Sequence, residues 1–343
     1  MKRLILGLLV TIVTIAPAAA QKKKKTQSPP PPPAPHVDFK TEQMLEGMEK
    51  VLIFDSLVVN KRNLLRAYPL TPGAGRLAWA DAADCEAGTT YTTYYGSESY
   101  QTKAVDSLHH LLARSFRFGE EWTSPEVLFG EVEDAAEGDS LGLYQQYPFL
   151  MPDGVTLYFA QNAADGLGGL DIYMTRKGGE DRQFYRPENI GMPFNSPAKD
   201  YFMAIDEELG FGCFATDRHQ PADSVCVYYF MPSDQRQTYT ADEISREQRE
   251  ALADIRSLSD TWNIDEPQAL ALREKLKEAF ARAATPVTES TDCRQQALRS
   301  LAEMEDSLLR LRQQWHEGKH SDQHRELILD MEQRVIQQRK AIR

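Results

Sequence analysis

The chain repeats itself. Shifted by 55 residues, Phe159-Ala160 falls on Phe214-Ala215 and Ile172-Tyr173 falls on Val227-Tyr228, with no gap. A second echo, at an offset of 62, sets Trp122-Thr123-Ser124-Pro125-Glu126 against Phe184-Tyr185-Arg186-Pro187-Glu188. A fixed period of this size means similar supersecondary units packed side by side. Within the period the apolar stretches are short and rich in aromatic and β-branched residues: Val51–Phe54, Tyr91–Tyr95, Leu157–Ala160, Asp171–Met174, Gly212–Ala215 and Val225–Tyr229. Polar, Gly-rich or Pro-rich turns divide them, which predicts an all-β sandwich, barrel or propeller over residues 50–232. The repeat selects the propeller, because a unit of about 50 to 60 residues holding four short strands has the size of one blade. The region has room for three to four such units, at the lower edge of the four to eight that usually close a ring.

The best-formed unit carries a recognisable signature. Asp153-Gly154 precedes Leu157-Tyr158-Phe159-Ala160, then come Gly168-Gly169-Leu170-Asp171-Ile172-Tyr173, Pro187-Glu188-Asn189-Ile190-Gly191 and Pro193-Phe194-Asn195-Ser196. This pattern resembles the TolB-type, WD-repeat-like β-propeller repeat. It is specific over residues 142–202 and degenerates in the next unit, where Cys226 replaces the motif aspartate and Leu209-Gly210 replaces the Asp-Gly turn. Upstream, over 50–125, only the strand rhythm and the Trp-x-x-Pro element remain. The resemblance implies a cell-envelope protein of a Gram-negative bacterium, outer-membrane and secretion-system components included. It assigns Asp153, Gly154, Tyr158, Phe159, Gly168, Gly169, Asp171, Tyr173 and Pro187 to the repeat's own architecture.

After residue 236 the apolar period changes from two to 3.6. Thr240-Ala241-Asp242-Glu243 reads as a capping-box start, and Pro267 opens a helix running to Ala284 with Leu272, Leu276 and Phe280 on one face. Heptad spacing follows, first at Ala297, Leu301, Met304, Leu308, Leu311 and Trp315, then at His324, Ile328, Met331, Val335, Gln338 and Ile342. Two runs of about three heptads broken at Gly318–Ser321 predict an antiparallel coiled-coil hairpin rather than a long rod.

At the other end, Met1-Lys2-Arg3, the apolar stretch Leu4–Ile15 and Ala18-Ala19-Ala20 form the three parts of a secretory signal peptide, removed after Ala20. The apolar stretch is well short of the roughly 20 residues of a membrane span. Lys22–Lys25 and the proline run to Pro35 then make a flexible basic patch and a stiff spacer. The expected organisation is a signal peptide (1–20), a Lys/Pro-rich linker (21–36), a propeller-like domain (37–236), a helical connector (237–290) and a coiled-coil hairpin (291–343). A mean hydropathy of −0.50 excludes a polytopic membrane protein. The net charge of −12 conceals +6 on residues 1–36 and +1 on 291–343, which leaves −19 on residues 37–290. Such a body repels phosphate backbones, so nucleic acid is not an expected partner.

Catalytic signatures are missing from the sequence: it has no nucleophile elbow, phosphate loop, dinucleotide fingerprint or His-Glu-x-x-His. The Asp165–Asp171 loop lacks the alternating oxygen donors of an EF-hand. It reads as a structural turn whose glycines supply positive φ while Asp171 bonds nearby amides. His316, His320 and His324 have a metal-like spacing but straddle the expected hairpin turn, so they read as solvated. Neither a metal nor a cofactor is expected. Cys213 and Cys226 flank a turn and would face each other in a symmetric hairpin, which leaves two readings, a disulfide or two separately buried thiols; Cys85 and Cys293 have no obvious partner. The sequence thus points to an exported, non-enzymatic interaction scaffold. Its propeller would dock an envelope protein or cell-wall component, and its helices would mediate assembly, including a homo-oligomer. The alternative is a glycan-binding or glycan-cleaving propeller.

Overall fold

The computed structural model describes residues 39–81, 84, 87–119, 121–129, 143–179, 183–233, 235–240, 242–284, 301, 304–305, 307–315 and 322–342. Their fold is mixed α and β, built on three antiparallel sheets. The first contains β2 (Arg76–Trp79), β3 (Thr89–Thr92), β4 (Glu98–Ala104), β5 (His110–Phe118) and β6 (Glu121–Trp122) in that order, with β7 (Glu126–Val127) also on β5. The second is a meander of β8 (Gln145–Leu150), β9 (Thr156–Gln161), β10 (Asp171–Arg176) and β11 (Glu188–Asn189). The third runs β12 (Asp200–Asp206), β13 (Phe211–Thr216) and β14 (Ser224–Met231), and is completed at its edge by β1 (Leu52–Asn60), the earliest strand of the chain. The expected strand at 91–95 lies instead at 89–92, because Gly96 takes φ +68° and turns the chain.

The 55-residue offset of the sequence is also a structural register. In the second sheet Gln145 pairs with Gln161, Leu150 with Leu157 and Ile172 with Ala160. In the third, Asp200 pairs with Thr216, Ile205 with Gly212 and Val227 with Ala215. Each third-sheet residue is its second-sheet counterpart plus 55, although the turn glycine moves from Gly154 to Gly210. Side-chain alternation then sends Phe159 and Phe214 to equivalent, fully buried positions.

A single core links all three sheets through Tyr91, Tyr100, Phe149, Phe159, Phe202 and Tyr229. Between the third and first sheets lies the β1–β2 connection, with short 3-10 turns at Lys61–Ala67 and Pro72–Ala74. Tyr229 Oη donates to Ala67 O at 2.8 Å, Tyr68 Oη to Phe202 O at 3.0 Å and Tyr91 Oη to Ala74 O at 3.1 Å. These bonds satisfy buried carbonyls and fasten the connection to both sheets.

Helices α1 (Phe39–Glu46) and α2 (Arg246–Ala253) pack on each other beside the third sheet. The capping box forms at Ser245 and Gln248, five residues beyond the expected Thr240 start, because Ser245 rather than Thr240 meets both reciprocal bonds. Helix α3 (Glu266–Ala284) has the expected bounds. It buries Leu276 and Ala279 in the main core, with Leu272 and Phe280 against it. Helix α4 (residues 301, 304–305 and 307–315) and helix α5 (Asp322–Ile342) run antiparallel. Leu301, Leu308 and Val335 are buried between them, and Arg312–Glu332 (2.6 Å) and Arg339–Glu305 (2.7 Å) pair along their flank. No helix among the described residues is long and apolar enough to cross a membrane.

Candidate functional site

The signature residues serve mainly to hold the second sheet in shape. Asp153 accepts the amides of Val155 and Thr156 at 2.7 and 2.9 Å and closes the β8–β9 turn, in which Gly154 takes φ +69°. Asp171 accepts Leu167 N–H at 2.7 Å and Gly168 N–H at 2.9 Å, as expected of a structural turn. The glycines of that loop do not supply positive φ, however. Gly168 is required by close approach: a Cβ there would stand 1.7 Å from Ala198 O. Gly169 lies against the Lys199 side chain. Asn189 Nδ2 donates to Asp171 at 3.0 Å, and Asn195 Nδ2 donates to Asn189 Oδ1 and to Ile172 O, both at 2.8 Å. This chain of amides ties the Pro187–Ser196 segment to β10. Burial nevertheless raises the Asp171 carboxyl above its usual range, against the pull of those donors.

The third sheet carries a buried ion pair. Arg218 donates to Asp200 Oδ1 (3.0 Å), Thr216 Oγ1 (3.1 Å), Phe194 O (2.7 Å) and Ala253 O (3.1 Å). Desolvation lifts Asp200 to about 6, with Arg218 opposing it.

The cysteines do not meet. Cys213 registers with Tyr229 and Cys226 with Thr216, so the hairpin is displaced by three residues from the symmetric pairing that a Cys213–Cys226 bond needs. An odd displacement also puts the two thiols on opposite faces, Cys213 in the main core and Cys226 in the cluster between second and third sheets. Both are free and buried, and burial raises both thiols. Cys85 and Cys293 lie outside the described residues, as do His316 and His320. His324 sits within the helical pair, its Nε2 2.8 Å from Leu311 O and its ring stacked on Trp315. Among the described residues no group of three or more His, Cys, Asp or Glu side chains is placed to hold a metal ion.

Two concavities are lined by these residues and their neighbours. The larger, about 220 Å³, is a groove between the second and third sheets. Tyr158, Met174, Phe194, Met203, Ile205 and Phe230 make an apolar floor, while Glu49, Arg176, Glu188 and Arg236 supply charge around it. Glu49 Oε2 lies 3.6 Å from Arg236 Nε, and burial raises its carboxyl while Arg236 works against the shift. Burial likewise pushes the Tyr158 hydroxyl up to about 12, with Glu49 adding to it. The smaller cavity, about 190 Å³, opens beside the β9–β10 loop. Gln145, Gln161, Asp165, Tyr173 and Pro187 are in its wall, and Tyr173 Oη donates to Asp165.

Of the signature residues, Tyr158 reaches the groove and Tyr173 and Pro187 reach the cavity. Glu49, Arg176 and Arg236 were missed by sequence reasoning, since they converge from distant segments and no local motif marks them. No known protein family, curated protein or solved structure matches this chain.

Proposed function

We propose that this protein is an exported, non-enzymatic interaction scaffold of the bacterial cell envelope. Its sheets make an incomplete TolB-like propeller that docks a partner protein, and its helical pair is a coiled-coil hairpin that mediates assembly. Support for the propeller comes from three successive antiparallel sheets, two in the same register, and from the earliest strand completing the last sheet.

The observation that carries the functional reading is the groove between the second and third sheets. At about 220 Å³ it falls below the roughly 300–1,000 Å³ of small-molecule and cofactor sites. Its apolar floor suits one large side chain of a partner, the anchor that dominates protein interfaces. The mixed charges at its rim steer and orient such a partner. On the helical pair, Leu309, Leu327, Leu329 and Ile336 are exposed, apolar surface suited to self-association.

In-cell crosslinking of the tagged protein, read by mass spectrometry, tests both halves. The wild type is expected to trap a discrete envelope protein and also itself. Met174→Trp, which fills the groove from a half-buried position, should lose the partner and keep the self-crosslinks. Leu329→Glu/Ile336→Glu should do the reverse. A wild type that traps no protein, or a Met174→Trp variant that traps the same one, sinks the docking reading.

A further inference from the structure

Strand β1 lies at the edge of the third sheet and pairs with β14 along its whole length, with a bulge between Ile53 and Asp55. Alternation gives each of its backbone groups a direction. Lys61 N–H donates to Asp223 O at 2.9 Å, so the odd-numbered residues from Asp55 to Lys61 turn their N–H and C=O groups toward β14. Ser56, Val58 and Asn60 then turn theirs outward. Before the bulge the outward groups are covered. Ile53 N–H donates to Thr261 Oγ1 at 3.0 Å, Ile53 O accepts from Trp262 Nε1 at 2.8 Å, and Phe54 O accepts from Arg273 Nε at 3.0 Å. After the bulge that cover ends, and Leu57 and Val58 are 40% and 54% exposed.

Two outward groups of this second half are satisfied locally. Ser56 N–H donates to Asp55 Oδ1 at 2.9 Å. Asn60 caps the following 3-10 turn and commits its carbonyl to it. What stays open is Ser56 O, both groups of Val58 and the Asn60 N–H, a set symmetric about Val58. A second copy of β1, antiparallel and with Val58 opposite Val58, completes it. Each Val58 N–H meets the other Val58 O, and each Asn60 N–H meets the other Ser56 O. An unrelated strand fits less well, because the carbonyl it sets opposite Ser56 and the N–H it sets opposite Asn60 would find no partner. In a second copy those two groups are Asn60 O and Ser56 N–H, already satisfied. Sheet edges are commonly blunted by charge or proline, yet Ser56-Leu57-Val58-Val59-Asn60 carries neither, so nothing in it repels its own copy.

We propose that β1 pairs with β1 of a second copy about a two-fold axis at Val58, joining two third sheets into one. This contact is independent of the groove and of the helical pair. The full chain carrying Leu329→Glu/Ile336→Glu isolates it. Sedimentation equilibrium should show a reversible monomer–dimer exchange with Kd on the order of 100 μM, as suits a small interface. Residue-resolved amide exchange should slow at Val58 and Asn60 as concentration rises through that range, and stay constant at Leu57 and Val59. Val58→Pro removes an outward N–H and no bond to β14, and should weaken the dimer at least about tenfold. Val58→Lys leaves the backbone intact and should act in the same direction, which keeps the test decisive if the proline variant melts without cooperativity. Three results overturn the proposal: a monomer at millimolar concentration; a dimer that neither folded variant weakens; or amide protection at Val58 only when a different protein is added, which gives the edge to a foreign strand.

Discussion

The second and third sheets share one register and differ in how they fill it. Both bury a phenylalanine at the same place, Phe159 and Phe214, and both turn on a glycine near φ +70°. Yet the second sheet ties its loop through Asp171 to the amides of Asn189 and Asn195 and pairs Gln145 with Gln161, whereas the third drives Arg218 onto Asp200. A repeat therefore conserves backbone pairing and apolar alternation, and leaves the polar interior free to diverge. The divergence is where the two sheets acquire separate properties, one a titratable pair and the other an open cavity.

The largest expected effect comes from breaking the pair on one side. Arg218→Met strands the Asp200 carboxylate, which is fully buried, and should cost about 3–5 kcal/mol. Asp200→Asn/Arg218→Met, which moves the third sheet toward the second sheet's neutral state, should recover more than half of that loss. Urea unfolding midpoints decide the matter, and a double variant no better than the single would show that the pair contributes by shape rather than by charge.

A pH profile sharpens the same contrast. The folded-state value of Asp200, about 6, lies above the unfolded value of about 3.9. Its contribution is therefore fully present below about pH 4 and is lost as pH rises through about 6, a change on the order of 3 kcal/mol. The second sheet has Gln145 at that position, and its own raised carboxyl, Asp171, is common to both of the curves compared below. Melting temperatures of wild type and Asp200→Asn between pH 4 and 7 should differ in slope, and parallel curves would contradict the assignment.

The smallest test concerns the shared feature. Gly154→Ala and Gly210→Ala each force a side chain into the left-handed region and should cost about 1–2 kcal/mol. The costs should match, since a Cβ at Gly154 meets open space and one at Gly210 meets only the movable Lys275 ammonium. A large inequality, read by thermal unfolding, would mean that the two turns are not equivalent.

Much of this was legible in the residues. The repeat offset, the strand positions other than that of β3, the bounds of α3 and the antiparallel partners of the terminal helices follow from periodicity, because alternation and heptad spacing report which side of a local element is apolar. The failures have one cause in common. The Cys213–Cys226 pairing assumed a symmetric hairpin, but the real register, displaced by three residues, satisfies the apolar faces of β13 and β14 instead. The glycines of the Asp165–Asp171 loop were read by their local freedom, while Gly168 answers to the carbonyl of Ala198, thirty residues on.

What the amino-acid order establishes is local and periodic: where the strands fall, how far apart the units repeat, which faces are apolar. It could not announce that Glu49, Tyr158 and Arg236 share a groove, or that Arg218 reaches Asp200 together with the carbonyls of Phe194 and Ala253. Those depend on how three sheets pack against one another, and packing brings together residues whose separation along the chain carries no signal. Burial then sets their chemistry, raising Glu49 and Asp200.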